Sequence, residues 1–213
     1  MSLNDYDGLK TEIASYLARS DVTSASDSVD TFIDLAEAHF NKKLRVLRMM
    51  EDVSLATAAA QTYTNLPTDF IKFFAVEYTD SPKKLEYLPA QSNARMYAGT
   101  EQGKPDGFYL GWSGTLPQMK YIKTPDAIYD ITGVYYQKIP ALSSGNTTNW
   151  LLTDYPELYL NACLYYAFKR FRSPIAADYK ALTDNDIKIL NDEAEEIQTA
   201  GGGMQMRVYG TTP

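Results

Sequence analysis

The side chains that most often carry catalysis or bind metal are sparse in this chain of 213 residues. There is one histidine, His39, between Ala38 and Phe40, and one cysteine, Cys163, inside an apolar run. A zinc centre draws on several His and Cys ligands, and a nucleophile–histidine–acid triad needs its own imidazole, so neither can be built here. His39 reads as an ordinary helical residue and Cys163 as a packed thiol. Asp184-Asn185-Asp186 begins like a calcium loop, but the following positions lack the further oxygen ligand and the glycine that such a loop requires. Thr183 reads instead as a helix cap onto Asp186. Asp192, Glu193, Glu195 and Glu196 at helical spacing point around the axis, which makes a solvated acidic face and not a converging acid–base pair. The glycines between Gly99 and Gly107 have neither the lysine of a phosphate loop nor a strand-to-helix setting. The expectation is a non-enzyme without cofactor or metal.

Recognition is the chemistry that remains. Seventeen tyrosines bring large area with a polar tip, which suits half-wet cores and protein interfaces. Tyr97, Phe108, Tyr109, Trp112 and Tyr121 fall in the middle of the chain, where they read either as core plus interface or as a stacking platform for sugars or single-stranded nucleic acid. The alternative function is a carbohydrate- or peptide-binding module that works through this aromatic β-domain. Twenty basic against 27 acidic residues leave a formal charge of −7, which opposes a grip on phosphate backbones. A single cysteine rules out an internal disulfide framework, and Asp5, Asp7, Lys10 and Glu12 leave no room for an apolar signal segment, so synthesis in the cytoplasm is expected.

These residues must be positioned by helices at both ends of the chain and strands between. Tyr6, Leu9, Ile13, Tyr16 and Leu17 mark a helix over Asp5–Arg19. Val29, Phe32, Ile33, Ala36, Phe40, Leu44 and Leu47 mark a second over Asp27–Met49, capped by Ser26 or Asp27. From Glu51 the period turns to alternation, with strands at Val53–Leu55, Thr62–Thr64, Ile71–Phe74 with Val76–Tyr78, Leu85–Tyr87, Phe108–Leu110, Gln118–Ile122 and Tyr129–Tyr136. Gly111-Trp112-Ser113-Gly114 reads as a hairpin tip and Pro89–Ala98 as one short helix. This middle part is expected to be a small antiparallel β-domain. The densest apolar stretch, Asp154–Arg172, reads as a central helix capped by Asp154, with Pro156 in its first turn and Leu158, Tyr159, Ala162, Tyr165 and Phe168 as core. It is apolar nearly all round yet too short to span a membrane, so it must be covered on several sides. A last helix, bent near Thr183, carries Ile187, Leu190, Ala194 and Ile197, and Gly201-Gly202-Gly203 ends it. The segments are therefore 1–50, 51–140, 141–153, 154–203 and 204–213.

The succession YDGLKTEIASYLARSD, VDTFIDLAEAHFNKKLRV, QTYTNLPTDFI, LEYLPA and YYQKIPALSSGNTTNWLLTDYPELYLNACLYYAFKRFR resembles the head-to-tail adaptor (connector or gatekeeper) proteins of tailed bacteriophages. The resemblance spans nearly the whole chain. It implies an α+β protein, an antiparallel helical bundle with a small antiparallel β-domain inserted between its second and third helices, followed by an extended C-terminal tail. It also implies a virion protein that forms a ring, usually of twelve copies, under the portal protein and joins it to a tail or nozzle protein. The C-terminal segment, here Met204, Met206, Arg207, Val208 and Tyr209, would reach the portal, and the β-domain tip at Trp112 would face the tail. DNA would pass the acidic lumen without specific binding, since like charge keeps it from sticking, and no membrane is involved.

Overall fold

The computed structural model describes residues 3, 5–17, 28–89 and 101–200. The chain divides into two compact units, residues 1–47 with 139–213, and residues 48–138.

In the first unit, helix α1 (Tyr6–Leu17) buries Tyr6, Leu9, Ile13 and Leu17 at helical spacing. The Asp5 carboxylate accepts from the Gly8 N–H at 2.7 Å and so satisfies one orphan donor of the first turn. Helix α2 (Val29–Lys43) is capped by Ser28, whose Oγ accepts from Thr31 N–H. The caps expected at Ser26 or Asp27, and the end of α1 expected at Arg19, lie outside the described residues. α2 stops at Lys43, short of the expected Met49. The Asn191 side chain takes over the terminus there, accepting from Arg45 N–H at 2.7 Å and donating to Lys43 C=O at 3.1 Å.

The expected central helix is two helices. α3 (Trp150–Asp154) is capped by Asn149, whose Oδ1 accepts from Leu152 N–H at 2.9 Å, and α4 (Pro156–Arg170) starts after a break at Tyr155. Asp154 thus closes α3 and does not cap α4, while Pro156 occupies the first turn, where its missing N–H has no helical acceptor. Every residue from Leu158 to Leu164 is buried, because α1, α2 and α5 (Ala176–Ala200) cover different faces of α4. Aromatic edges seal these contacts, Phe40 on Tyr159 at 5.1 Å and Phe32 on Phe171 at 6.2 Å between ring centres. α5 runs without the break expected at Thr183. That residue is fully buried in mid-helix and its hydroxyl donates to Tyr179 C=O at 2.8 Å, so it caps nothing.

Among its described residues the second unit holds eight strands, β1 (Met50–Ala56), β2 (Tyr63–Asn65), β3 (Phe70–Tyr78), β4 (Ser81–Lys84), β5 (Glu86–Tyr87), β6 (Gly107–Ser113), β7 (Leu116–Tyr121) and β8 (Asp130–Gln137). They form two four-stranded sheets, ordered β1-β8-β3-β4 and β2-β7-β6-β5. β1 and β8 run antiparallel from Met50 opposite Tyr136 to Ala56 opposite Asp130. Both sheets feed one core, Phe70, Val76, Ile131 and Tyr135 from the first and Phe108 and Met119 from the second. The β6–β7 turn is Gly114-Thr115, with Ser113 opposite Leu116 and Gly114 at φ +60°, so Gly111, Trp112 and Ser113 belong to the strand and not to the tip.

The expected architecture needs correction. The chain is α+β, but a helical bundle carrying a small antiparallel β-domain does not describe it. The β unit is a two-sheet structure of residues 48–138, and it is mixed, since β5 pairs parallel with β6 through Glu86–Gly107 and Tyr87–Phe108. Short strands with turns between them suggest neighbours in sequence pairing as hairpins, whereas here the first strand pairs with the last. The extended tail, the glycine stop and nearly all of the short helix expected at Pro89–Ala98 lie outside the described residues.

Gly133, in the middle of β8, shows how closely the first sheet is packed. A Cβ there would stand 2.9 Å from the Ala75 carbonyl oxygen and 3.4 Å from a Val76 methyl. Gly133→Ala is expected to destabilise the β unit by about 1–3 kcal/mol, read as a lower urea midpoint with an unchanged slope.

Candidate functional site

His39 projects from α2 toward α4 and α5. Its Nδ1 lies 3.1 Å from the Tyr166 hydroxyl, and Nε2 stands 3.5 Å from Asp184 Oδ1 without a hydrogen bond. The Asp184 carboxylate is instead held by Lys43 at 2.7 Å and Lys180 at 2.8 Å. Those two lysines draw its pKa down to about 2. Burial first, and then the charge of Lys43, lowers the His39 pKa, so the imidazole is neutral near pH 7. This cluster clamps α2 to α5, and the start of the apparent calcium loop is one of its ion pairs. Among the described residues no three His, Cys, Asp or Glu side chains are grouped to hold a metal ion. Cys163 is fully buried, and burial pushes its thiol pKa well up, away from the nucleophilic thiolate.

A second polar cluster was not visible in the sequence. Glu37 of α2 is buried, and its Oε1 accepts from Leu142 N–H at 2.8 Å and from the Tyr159 hydroxyl of α4 at 2.7 Å. The Tyr159 oxygen in turn accepts from Asn149 Nδ2 at 3.0 Å, and Asn149 also donates to Pro140 C=O at 2.8 Å. Asn41, one turn on from Glu37, accepts from Ile139 N–H at 2.8 Å. Two α2 side chains therefore order the polar connector that leads into α3. The available signal was a glutamate standing beside Ile33, Ala36 and Phe40 on the buried face of α2.

What is left is surface that can dock. Trp112 is 61 % exposed at the end of β6, beside the exposed Leu116. Phe108, Tyr121 and Trp112 share one face of the second sheet by its two-residue period and Tyr109 takes the other, but Phe108 and Tyr121 are buried in the core and only Trp112 is exposed, so these aromatics form no single platform. Tyr97 lies outside the described residues. A groove of about 470 Å³ runs along β3 and β6, with Phe73, Phe74, Tyr87 and Phe108 as apolar lining and Lys72 and Lys84 beside them. In the first unit, Leu158, Tyr159 and Ala162 are buried, while Tyr165 and Phe168 are half-buried. α5 leaves Leu182, Ile189 and Ile197 exposed. Ile197, expected in the core, lies beyond the part of α5 that α4 can cover. The candidate arm, Met204, Met206, Arg207, Val208 and Tyr209, lies outside the described residues.

Large apolar side chains stand exposed on both units, while Asp184 and Glu37 are held in structural bonds and Cys163 is buried. The chain belongs to the SU10 adaptor protein family, which matches it over residues 4–207, and is thus a phage structural adaptor. No curated protein matches it. As a family member it is a virion component that acts through other virion components. No helix among the described residues is long and apolar enough to cross a membrane.

Proposed function

We propose that this adaptor assembles as a ring, with twelve copies as the working number, beneath the portal and connects the phage head to its tail. The observation that carries the reading is the family match, which runs from the first helix into the C-terminal arm. The surface supports it, because Leu182, Ile189 and Ile197 in one unit and Phe74, Tyr87 and Trp112 in the other are large apolar groups that neighbouring copies or partners would cover. Met204–Tyr209 is the portal-binding arm, and the exposed Trp112 at the end of β6 faces the tail or nozzle protein. An excess of acidic residues lining the lumen lets DNA slide through during ejection, since fixed negative charge repels phosphates.

The test is to mix the purified protein with portal rings and image the particles by electron microscopy, with the protein alone as control. A second ring stacked on the portal is expected. Protein that stays monomeric and unbound beside intact portals overturns the reading.

A further inference from the structure

One face of α5 carries a regular pattern that does not serve the core. Ile175, Asp178, Leu182, Asp186, Ile189 and Glu193 follow one another at intervals of three or four residues, and Ile197 comes four later. Apolar and acidic side chains therefore alternate along a single helical face about 33 Å long. Ile175 stands in the turn that opens the helix, its C=O accepting from Asp178 N–H at 3.1 Å. Ile187, Leu190 and Ala194 are buried on another face, whereas Ile175, Leu182, Ile189 and Ile197 are 43, 50, 47 and 63 % exposed.

A surface of the opposite character lies in the β unit. The groove along β3 and β6 has Phe73, Phe74, Tyr87 and Phe108 as its apolar part, with Lys72 and Lys84 beside them. Phe74 and Tyr87 are more than half exposed, and among the described residues no carboxylate lines the groove. Its charge thus runs against the formal charge of −7 of the chain. Two α5 faces brought together would set carboxylates against carboxylates, which disfavours a symmetric pairing through this helix, whereas the groove offers lysines to them.

We propose that the α5 face of one copy docks into the β3–β6 groove of a second copy, with Leu182 and Ile189 as anchors on the aromatic floor and Asp186 and Glu193 against Lys72 and Lys84. An amphipathic helix laid into an apolar groove is held by anchors at this spacing. The two surfaces differ, so the contact is head-to-tail. Each copy then offers one face and one groove, and such a series closes as a ring when the rotation between copies permits. The inference rests on the ring reading and names the contact between its copies.

The test mixes two full-length variants, Ile189→Cys and Tyr87→Cys, under mild oxidation, with portal rings present and absent. Both positions are exposed and the native Cys163 is fully buried, so the introduced thiols are the ones that react. A disulfide between the two variants is expected, forming at least about tenfold faster than in either variant alone. Leu182→Cys with Phe74→Cys repeats the measurement at a second point of the contact. Adding Lys72→Glu and Lys84→Glu to the Tyr87→Cys variant should slow the cross-link about tenfold, and adding Asp186→Lys and Glu193→Lys to its partner should restore the rate. No cross-link at either pair, equal cross-linking within one variant alone, or indifference to these charges each overturns the proposal. A second ring on the portal that carries no cross-link overturns this contact and leaves the ring reading standing. Cross-links without a second ring support the contact and count against that reading.

Discussion

Glu37→Ala is expected to cost the helical unit about 3 kcal/mol, one of the largest effects a single truncation can have in this chain. The Glu37 Oε1 holds Leu142 N–H and the Tyr159 hydroxyl, and both donors are buried. Alanine orphans the two at once, leaving buried donors without their acceptor. Glu37→Gln should cost far less, because the amide oxygen offers the same two acceptor lone pairs. Urea unfolding of both variants checks the difference, and equal losses would remove the hydrogen bonds as its cause.

The same residue contributes to the pH dependence with a definite sign. Burial raises the Glu37 pKa, outweighing the hydrogen bonds from Leu142 and Tyr159 that act to lower it. The folded state therefore binds this proton more tightly than the unfolded chain does. Its contribution to stability is fully present below the ordinary glutamate value and is lost as pH rises through the raised one. Asp184 acts oppositely, since its pKa is drawn down to about 2 and its contribution is lost as pH falls toward that value. Glu37→Gln should flatten the first dependence and leave the second, as pH-resolved urea midpoints would show.

Deleting everything after Gly203 is expected to leave the fold intact and to weaken attachment to the portal by at least about a hundredfold. The described cores end before the deletion: Ala194 is the last buried apolar residue and Ile197 beyond it is exposed. The protein should thus keep its unfolding midpoint to within about 0.5 kcal/mol. Binding energy in an interface concentrates in a few anchors, and Met204, Met206, Arg207, Val208 and Tyr209 are the apolar and cationic types that serve as such. Sedimentation of portal with the truncated and full-length proteins reads the effect. Equal co-sedimentation would place the portal contact elsewhere on the chain.

Local rules made a good part of this protein legible. Apolar residues at helical spacing located α1, α2 and α5, and alternation located most strands. Pro156 marked the start of α4, and the surplus of apolar positions between Leu158 and Phe168 showed that this helix needs cover on several sides. The family resemblance was equally a matter of order along the chain. In each case the signal lies in residues a few positions apart, which is what a period or a motif records.

The failures share one physical cause, an interaction between residues far apart in sequence. Asn191 of α5 ends α2 at Lys43, where propensity alone would have carried the helix further. Thr183 looks like a cap until the buried face of α5 absorbs it. Glu37, which composition would place in water, is held inside by donors from Leu142 and Tyr159. The pairing of β1 with β8 and the parallel pairing of β5 with β6 turned a supposed small antiparallel domain into two sheets, one antiparallel and one mixed, because alternation gives the faces of a strand but never its neighbour. The amino-acid sequence by itself determined where most helices and strands fall along the chain and which family the chain resembles. Only the tertiary structure decided which charges are buried, which apolar groups remain exposed for partners, and how the strands are ordered, since those depend on contacts that exist only once the chain has folded.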